Sequence, residues 1–394
     1  MQQNFSATNT IMDLAIDILD RYAGGLRGSA NVCRYDSGPM ILAYVANSAG
    51  TLPGGLAQRV ARRWLDELPE QMYTVGAFGG LGGFLAGIRA GIAIDDEFAS
   101  LSDHVVDQTR RWLAGMRWRT SLVAWDDYDL FRGPSGLLLA GASSEADTTP
   151  FIPAARHLAR LCDDPGLGRL RAGTEIDPRS AFNIGRINTG MGHGVTGVIS
   201  ALRHVVETLE DGNQYRPALR RACGWLVEEA YLAEDDFITW PPVGRDGAKV
   251  SGVAQRRQAW CYGTPGVAWA LWDAGRILDD DSLQLLGEEA MRSFCRVFDA
   301  DYHIDTHDIG EALAICHGAA GTLAVADAFA RLAGLREAVT LRVELDQYLL
   351  DRFDQIFAIA QTDMTMLSGA GGILSVMLTV HGGARNWLSQ IALR

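Results

Sequence analysis

The sequence has no run of about 18 apolar residues, so no segment is expected to span a bilayer. The start, Met1-Gln2-Gln3-Asn4-Phe5, lacks a basic region followed by an apolar stretch, and no secretory signal is expected. Cysteine is scarce, with six residues scattered at 33, 162, 223, 261, 295 and 316. That is too few for a disulfide scaffold in a chain this long, and a cytoplasmic enzyme with reduced thiols is expected. Positive charge is also short. The 35 Lys and Arg against 48 Asp and Glu leave a formal charge of −13. Nucleic acid and anionic membrane need clustered cations, so neither is expected as the main partner. Strand signals are nearly absent.

What is present is apolar and periodic. Of 394 residues, 48% are hydrophobic, enough for a large core. The tetrad Gly-x-x-Gly recurs from Gly80, Gly133, Gly194, Gly263, Gly318 and Gly369, at intervals of 53, 61, 69, 55 and 51 residues. Apolar residues at helical spacing follow each copy, as with Val198, Ala201 and Leu202, or Val267, Ala270 and Leu271. One such tetrad means little, but six in one frame predict internal repetition. The residue seven places on is Gly87, Ala140, Ala201, Ala270, Val325 or Val376, small enough for parallel helices to approach closely.

Between these helices the segments 54–67, 99–117, 150–163, 215–232, 281–298 and 336–357 are more amphipathic and predict an outer layer with one wet face. Residues 9–23 and a degenerate inner copy, Ser37-Gly38-Pro39 followed by Met40 to Ala46, add a further pair. The expectation is an all-α fold, an α/α toroid of about seven inner and seven outer helices forming a single domain over residues 1–394. An open solenoid is the alternative. Closure is favoured because the last copy is followed by no polar capping helix.

In such a ring the turns before the inner helices meet at one end. Two places before each first glycine stand Phe78, Phe131, Gly192, Cys261, Cys316 and Leu367; one place before stand Gly79, Arg132, His193, Tyr262, His317 and Ser368. Cys261, Cys316 and His317 therefore share a rim, and two sulfurs with one nitrogen suit a zinc ion. Three protein ligands leave a fourth position open, as catalytic sites do. His193 is open between a fourth ligand, a free acid or base, and a packed core histidine. Asp129 is the natural carboxylate to orient a rim histidine, with Asp126 and Asp127 as rivals. Arg257 could stabilise an oxyanion, with Arg256 as its rival. A second cluster, His303, Asp305, His307 and Asp308, lies outside the frame and is taken mainly as a solvated loop.

Gly192-His193-Gly194, Trp260-Cys261-Tyr262-Gly263 and Cys316-His317-Gly318 resemble the signatures of the lanthionine synthetase C-like family, the lanthipeptide cyclases. The resemblance runs from the degenerate first copy to Gly372. It implies an α/α toroid with one catalytic zinc held by Cys261, Cys316 and His317. His193 corresponds to the active-site histidine. Asp129, in Tyr128-Asp129-Leu130-Phe131-Arg132-Gly133, and Arg257 correspond to the family's aspartate and arginine. The implied reaction adds cysteine thiols to dehydroalanine or dehydrobutyrine in a dehydrated precursor peptide. A separate dehydratase is implied as partner. A relative that binds glutathione or another thiol at zinc is the alternative. Protein prenyltransferases and toroid glycosidases fit less well: the first would be expected to use a carboxylate ligand, and the second would leave the cysteine frame without purpose.

Overall fold

The computed structural model describes residues 2–25, 36–50, 52–67, 74–142, 147–174, 183–246, 255–304 and 306–394. Its α-helices are, in order, α1 (Gln2–Ala23), α2 (Gly38–Ala49), α3 (Leu56–Asp66), α4 (Leu81–Ile92), α5 (Glu97–Gly115), α6 (Pro134–Gly141), α7 (Ile152–Leu161), α8 (Val195–Thr208) and α9 (Arg216–Glu228). Then come α10 (Thr264–Leu278), α11 (Asp281–Val297), α12 (Ala300–His303), α13 (Ile309–Leu313), α14 (Ala319–Ala328), α15 (Arg336–Leu350), α16 (Phe353–Ala360) and α17 (Ala370–Val380). One two-residue strand pair, Tyr231–Leu232 with Ile238–Thr239, forms a small hairpin.

Helices α2, α4, α6, α8, α10, α14 and α17 are the inner layer. Each packs on the next, and α17 packs on α2, so the ring is closed rather than open. Burial separates the layers. In α10 every residue from Thr264 to Gly275 is buried. In the outer helix α11 only Leu283, Gly287, Ala290, Met291, Ser293 and Phe294 are, a single stripe at helical spacing. Asp280 caps that helix, accepting from Ser282 N (3.1 Å) and Leu283 N (3.3 Å).

The second glycine of the tetrad has a steric cause. A Cβ at Gly136, Gly197, Gly266, Gly321 or Gly372 would strike the carbonyl of Leu130, Met191, Trp260, Ile315 or Met366 respectively. Each of those carbonyls lies three places before the copy's own first glycine, so the turn folds tightly over the first turn of its helix. At Gly87, the first of the positions seven places on, the small residue works differently from expectation. A Cβ at Gly87 would collide with the Trp64 indole of the outer helix α3, so the small residue admits an outer-layer ring rather than a parallel inner helix.

The turns are joined edge to edge. Ala77 N donates to Leu130 O (3.0 Å), Leu130 N to Gly192 O (3.0 Å), Met191 N to Cys261 O (2.8 Å), Cys261 N to Cys316 O (3.2 Å) and Ile315 N to Leu367 O (3.0 Å). Met366 N then donates to the buried Asp36 carboxylate (2.7 Å), which also accepts from Gly38 N (2.8 Å). This belt keeps equivalent positions of successive copies side by side.

Residues 385–394 fill the middle of the ring. Arg385 enters at the far end of the inner helices, paired with buried Asp327 (2.6 Å). A 3₁₀ turn, Asn386–Ile391, brings Gln390 up to the belt. Its side chain donates to Ala77 O (2.7 Å) and to Ser37 Oγ (2.7 Å). Trp260 Nε1 donates to Ile391 O (2.8 Å) and Trp269 Nε1 to Ala392 O (2.9 Å). The chain then descends to Arg394, between Asp273 (3.1 Å) and Glu207 (2.7 Å). The sequence frame gave no hint of this plug. The outer segment 336–357 also departs from expectation: it is divided between α15 and α16.

Candidate metal centre and proton-transfer residues

The belt bond from Cys261 N to Cys316 O places the two cysteines on adjacent turns. One ligand atom each from Cys261, Cys316 and His317 lies within 4.8 Å of the other two. Cys316 Sγ is 3.7 Å from His317 Nε2. Cys261 is buried and the other two are half-buried. Ligand atoms around a tetrahedral zinc stand roughly 3–4 Å apart, so the donor set fits that ion in type and the Cys316–His317 pair fits it in spacing. The three groups also share protons closely. A hydrogen bond from Cys316, helped by His317, holds the Cys261 thiol well below its usual range despite burial. Cys316 is correspondingly pushed up by that shared proton and by burial. Burial pulls His317 down, but its hydrogen bond to the Cys261 sulfur and that sulfur's charge leave it raised.

Gly192 stands where a side chain cannot. A Cβ there would press on the Phe131 ring and come within 2.9 Å of Cys261 Sγ. The next residue, His193, is 20% exposed, and its Nδ1 lies 2.6 Å from Asp129 Oδ2. Asp129 is fully buried, and its Oδ1 accepts from Arg132 N (2.7 Å) and Gly133 N (2.9 Å). Burial pushes Asp129 above the usual carboxylate range, and the bonds from His193 and the two backbone amides oppose that. With Nδ1 committed, Nε2 is the ring nitrogen left for chemistry.

The rivals separate by their partners. Asp127 accepts from Arg119 N (2.9 Å) and Ala124 N (2.8 Å), so it braces its own loop. Asp126 pairs on the surface with Arg132 (2.6 Å). Arg256 reaches away, donating to Tyr302 O (2.7 Å) and Asp301 O (2.9 Å). Arg257 pairs with Glu311 (3.0 Å), and both act electrostatically on Cys316 and His317. Glu311 went unnoticed in the sequence because it lies outside the repeat frame.

The second histidine cluster does not form a site among the described residues. His303 is buried against Phe237, Phe294, Phe298 and Tyr302, not solvated. His307 is exposed, Asp308 caps α13 through Gly310 N (2.9 Å), and Asp305 lies outside the described residues.

Aromatic rings line one side of the rim. Trp125 stacks on His193 with centroids 4.0 Å apart, and Phe131 meets it edge-on at 4.5 Å. Phe78 continues the wall to Phe131 (5.5 Å) and Trp260 (6.5 Å). Tyr262 packs against Gly190, its hydroxyl accepting from Asn188 Nδ2 (2.9 Å). Among the described residues no helix is long and apolar enough to cross a membrane.

Comparison with known proteins agrees with this geometry. The sequence profile of the family described as lanthionine synthetase C-like protein matches residues 48–390. The nisin biosynthesis protein NisC of Lactococcus lactis subsp. lactis is 25% identical over 301 residues, covering 70% of this chain and 69% of its own. The solved structure of nisin cyclase superposes with a TM-score of 0.73 over 96% of both chains at 18% identity, a likeness of fold.

Proposed function

We propose that this chain, which belongs to the lanthionine synthetase C-like family, is a zinc-dependent lanthipeptide cyclase. Its reaction would add cysteine thiols to dehydroalanine or dehydrobutyrine in a dehydrated precursor peptide, giving lanthionine or methyllanthionine thioethers. The observation that carries the reading is the gathering of Cys261, Cys316 and His317 within 4.8 Å at the rim of the closed ring. The naming of the relatives for nisin biosynthesis and cyclisation supports it. The whole chain acts as one cyclase domain in this reading, in the cytoplasm, with a separate dehydratase supplying its substrate.

Cys261, Cys316 and His317 would hold the zinc, which when bound would supply the positive charge that keeps a cysteine sulfur as thiolate near neutral pH. The remaining work falls to the protein. The substrate thiolate forms a C–S bond at the β-carbon of the alkene, and the alkene's π electrons move towards the neighbouring carbonyl. Arg257, beside the ligands, favours the charge that develops on that oxygen. The α-carbon then takes a proton from His193 Nε2, and the ring regains one from solvent, which balances the proton that the substrate thiol released on becoming thiolate. Asp129 holds the other side of the ring by its 2.6 Å contact to Nδ1, keeping one tautomer and stabilising the charged ring.

The test joins metal analysis to an activity assay. Purified protein is mixed with a dehydrated, cysteine-containing peptide, and free thiol is followed by alkylation, because ring closure leaves the mass unchanged. Wild type is expected to bind about one zinc per chain and to consume thiol. Cys316→Ala is expected to lose both. Retention of zinc and cyclisation in Cys316→Ala would overturn the reading.

A further inference from the structure

A single hydrogen bond positions one atom of a ring but not the ring's plane. His193 could swing about its Nδ1–Asp129 contact, and its far nitrogen would then sweep an arc. Residues 125–131 remove that freedom. Trp125 lies flat on the imidazole, 4.0 Å between centroids and 17° between planes. Phe131 closes the flank at 65°. Tyr128 Oη donates to the His193 carbonyl (2.7 Å), fixing the backbone beneath. Trp125 itself is fastened, because its carbonyl accepts from Tyr128 N (3.1 Å) and Asp129 N (2.9 Å). The indole and the carboxylate thus come from one turn. An indole face also favours a positively charged ring laid against it.

We propose that Trp125 is a positioning residue, whose indole holds the plane of His193 so that Nε2 delivers its proton to one face of the substrate α-carbon. The assignment rests on the cyclase reading and extends it to product configuration. Addition to dehydroalanine leaves one new stereocentre, set wholly by the face that receives the proton. A histidine free to rotate, or water in its place, would protonate both faces.

The experiment compares Trp125→Leu and Trp125→Phe with wild type on the same dehydrated peptide, subtracting uncatalysed closure. Zinc content and melting are measured alongside kcat and KM, and the hydrolysed product is resolved by chiral chromatography. Trp125→Leu is expected to keep its zinc and its KM, lose about tenfold in kcat, and yield several-fold more of the minor diastereomer. Trp125→Phe, which keeps a flat ring, is expected to restore most of both. A folded, zinc-loaded Trp125→Leu with unchanged kcat and diastereomer purity overturns the assignment. Should that variant not fold, Trp125→Met against Trp125→Phe decides it, with equal purity in the two overturning it. A wild type that consumes no thiol would overturn the cyclase reading itself, and the assignment with it.

Discussion

Two parts of the molecule meet at the middle of the ring and are built on different principles. The turns before the inner helices are variations on one theme, six of them stitched side by side by the belt of backbone bonds and the degenerate first held by Asp36 and Gln390. The segment 385–394 occurs once, rises from the opposite end, and touches the same turns from within through Gln390 and Ile391. The turns present their varied side chains at the rim. The plug spends its polar groups on the interior, satisfying Ala77 O, Trp260 and Trp269. A repeated element can vary one position freely because its neighbours hold the backbone. A single-copy element has no such support, and its residues are engaged in packing.

If that division is right, substitutions at the rim should cost chemistry and spare stability, while those in the plug should do the reverse. His193→Asn is the sharpest case. It is expected to lower kcat by about 10²–10⁴-fold, the range for a positioned proton donor, with zinc content and melting temperature close to wild type. A large fall in melting temperature with little change in kcat would make His193 a packed core residue and break the comparison.

The contrast also explains what could be read from sequence. Cys261, Cys316, His317 and His193 were legible because the frame aligned them two and one places before a glycine, and the belt makes that alignment spatial. Asp129 was favoured by its spacing, with Asp126 and Asp127 as rivals, and singled out by the resemblance. Its buried place beside His193 depends on the turn at Trp125–Asp127, which no periodicity signals. Trp125 precedes its copy's first glycine by eight residues, among polar neighbours, and so fell outside the slots. His303 was misjudged for the opposite reason. Asp299, Asp301, Asp305 and Asp308 around it suggest solvent, while Phe294 and Phe298, a few residues upstream, and the distant Phe237 close over its ring. The plug left no trace because it repeats nothing.

Where the degenerate first copy meets the last, the belt depends on a side chain. Asp36 replaces a backbone partner, accepting from Gly38 N and Met366 N while fully enclosed. Burial pushes its carboxyl up to about 7, with the two amides opposing and Asp363 adding to the rise. A carboxyl raised on folding favours the folded state in its protonated form. Its contribution is present below about pH 4 and is lost as the pH climbs to about 7. Wild type is therefore expected to lose roughly 2–4 kcal/mol more than Asp36→Asn between pH 4 and pH 8 in denaturant unfolding. Equal losses in the two proteins would show that the closure does not depend on this proton. The outcome also ranks the junction: a rim turn by position, it should behave in stability like the plug.

The smallest expected effect lies in the plug. Gln390 is 1% exposed, and its amide joins Ser37 to Ala77 across the first and second copies. Gln390→Met keeps the side chain's length and most of its volume but removes its contacts with the Ala77 carbonyl and with the buried Ser37 hydroxyl. Buried polar groups deprived of a partner in this way cost about 1–3 kcal/mol, visible as a fall in the unfolding midpoint. Cyclisation rate and zinc content, measured well below that midpoint, should stay within about twofold of wild type, because Gln390 reaches the ring through backbone and Ser37 rather than through Cys261, Cys316 or His317. Loss of zinc at unchanged stability would mean that the plug sets the geometry of the metal ligands, and the division between a chemical rim and a structural centre would fall.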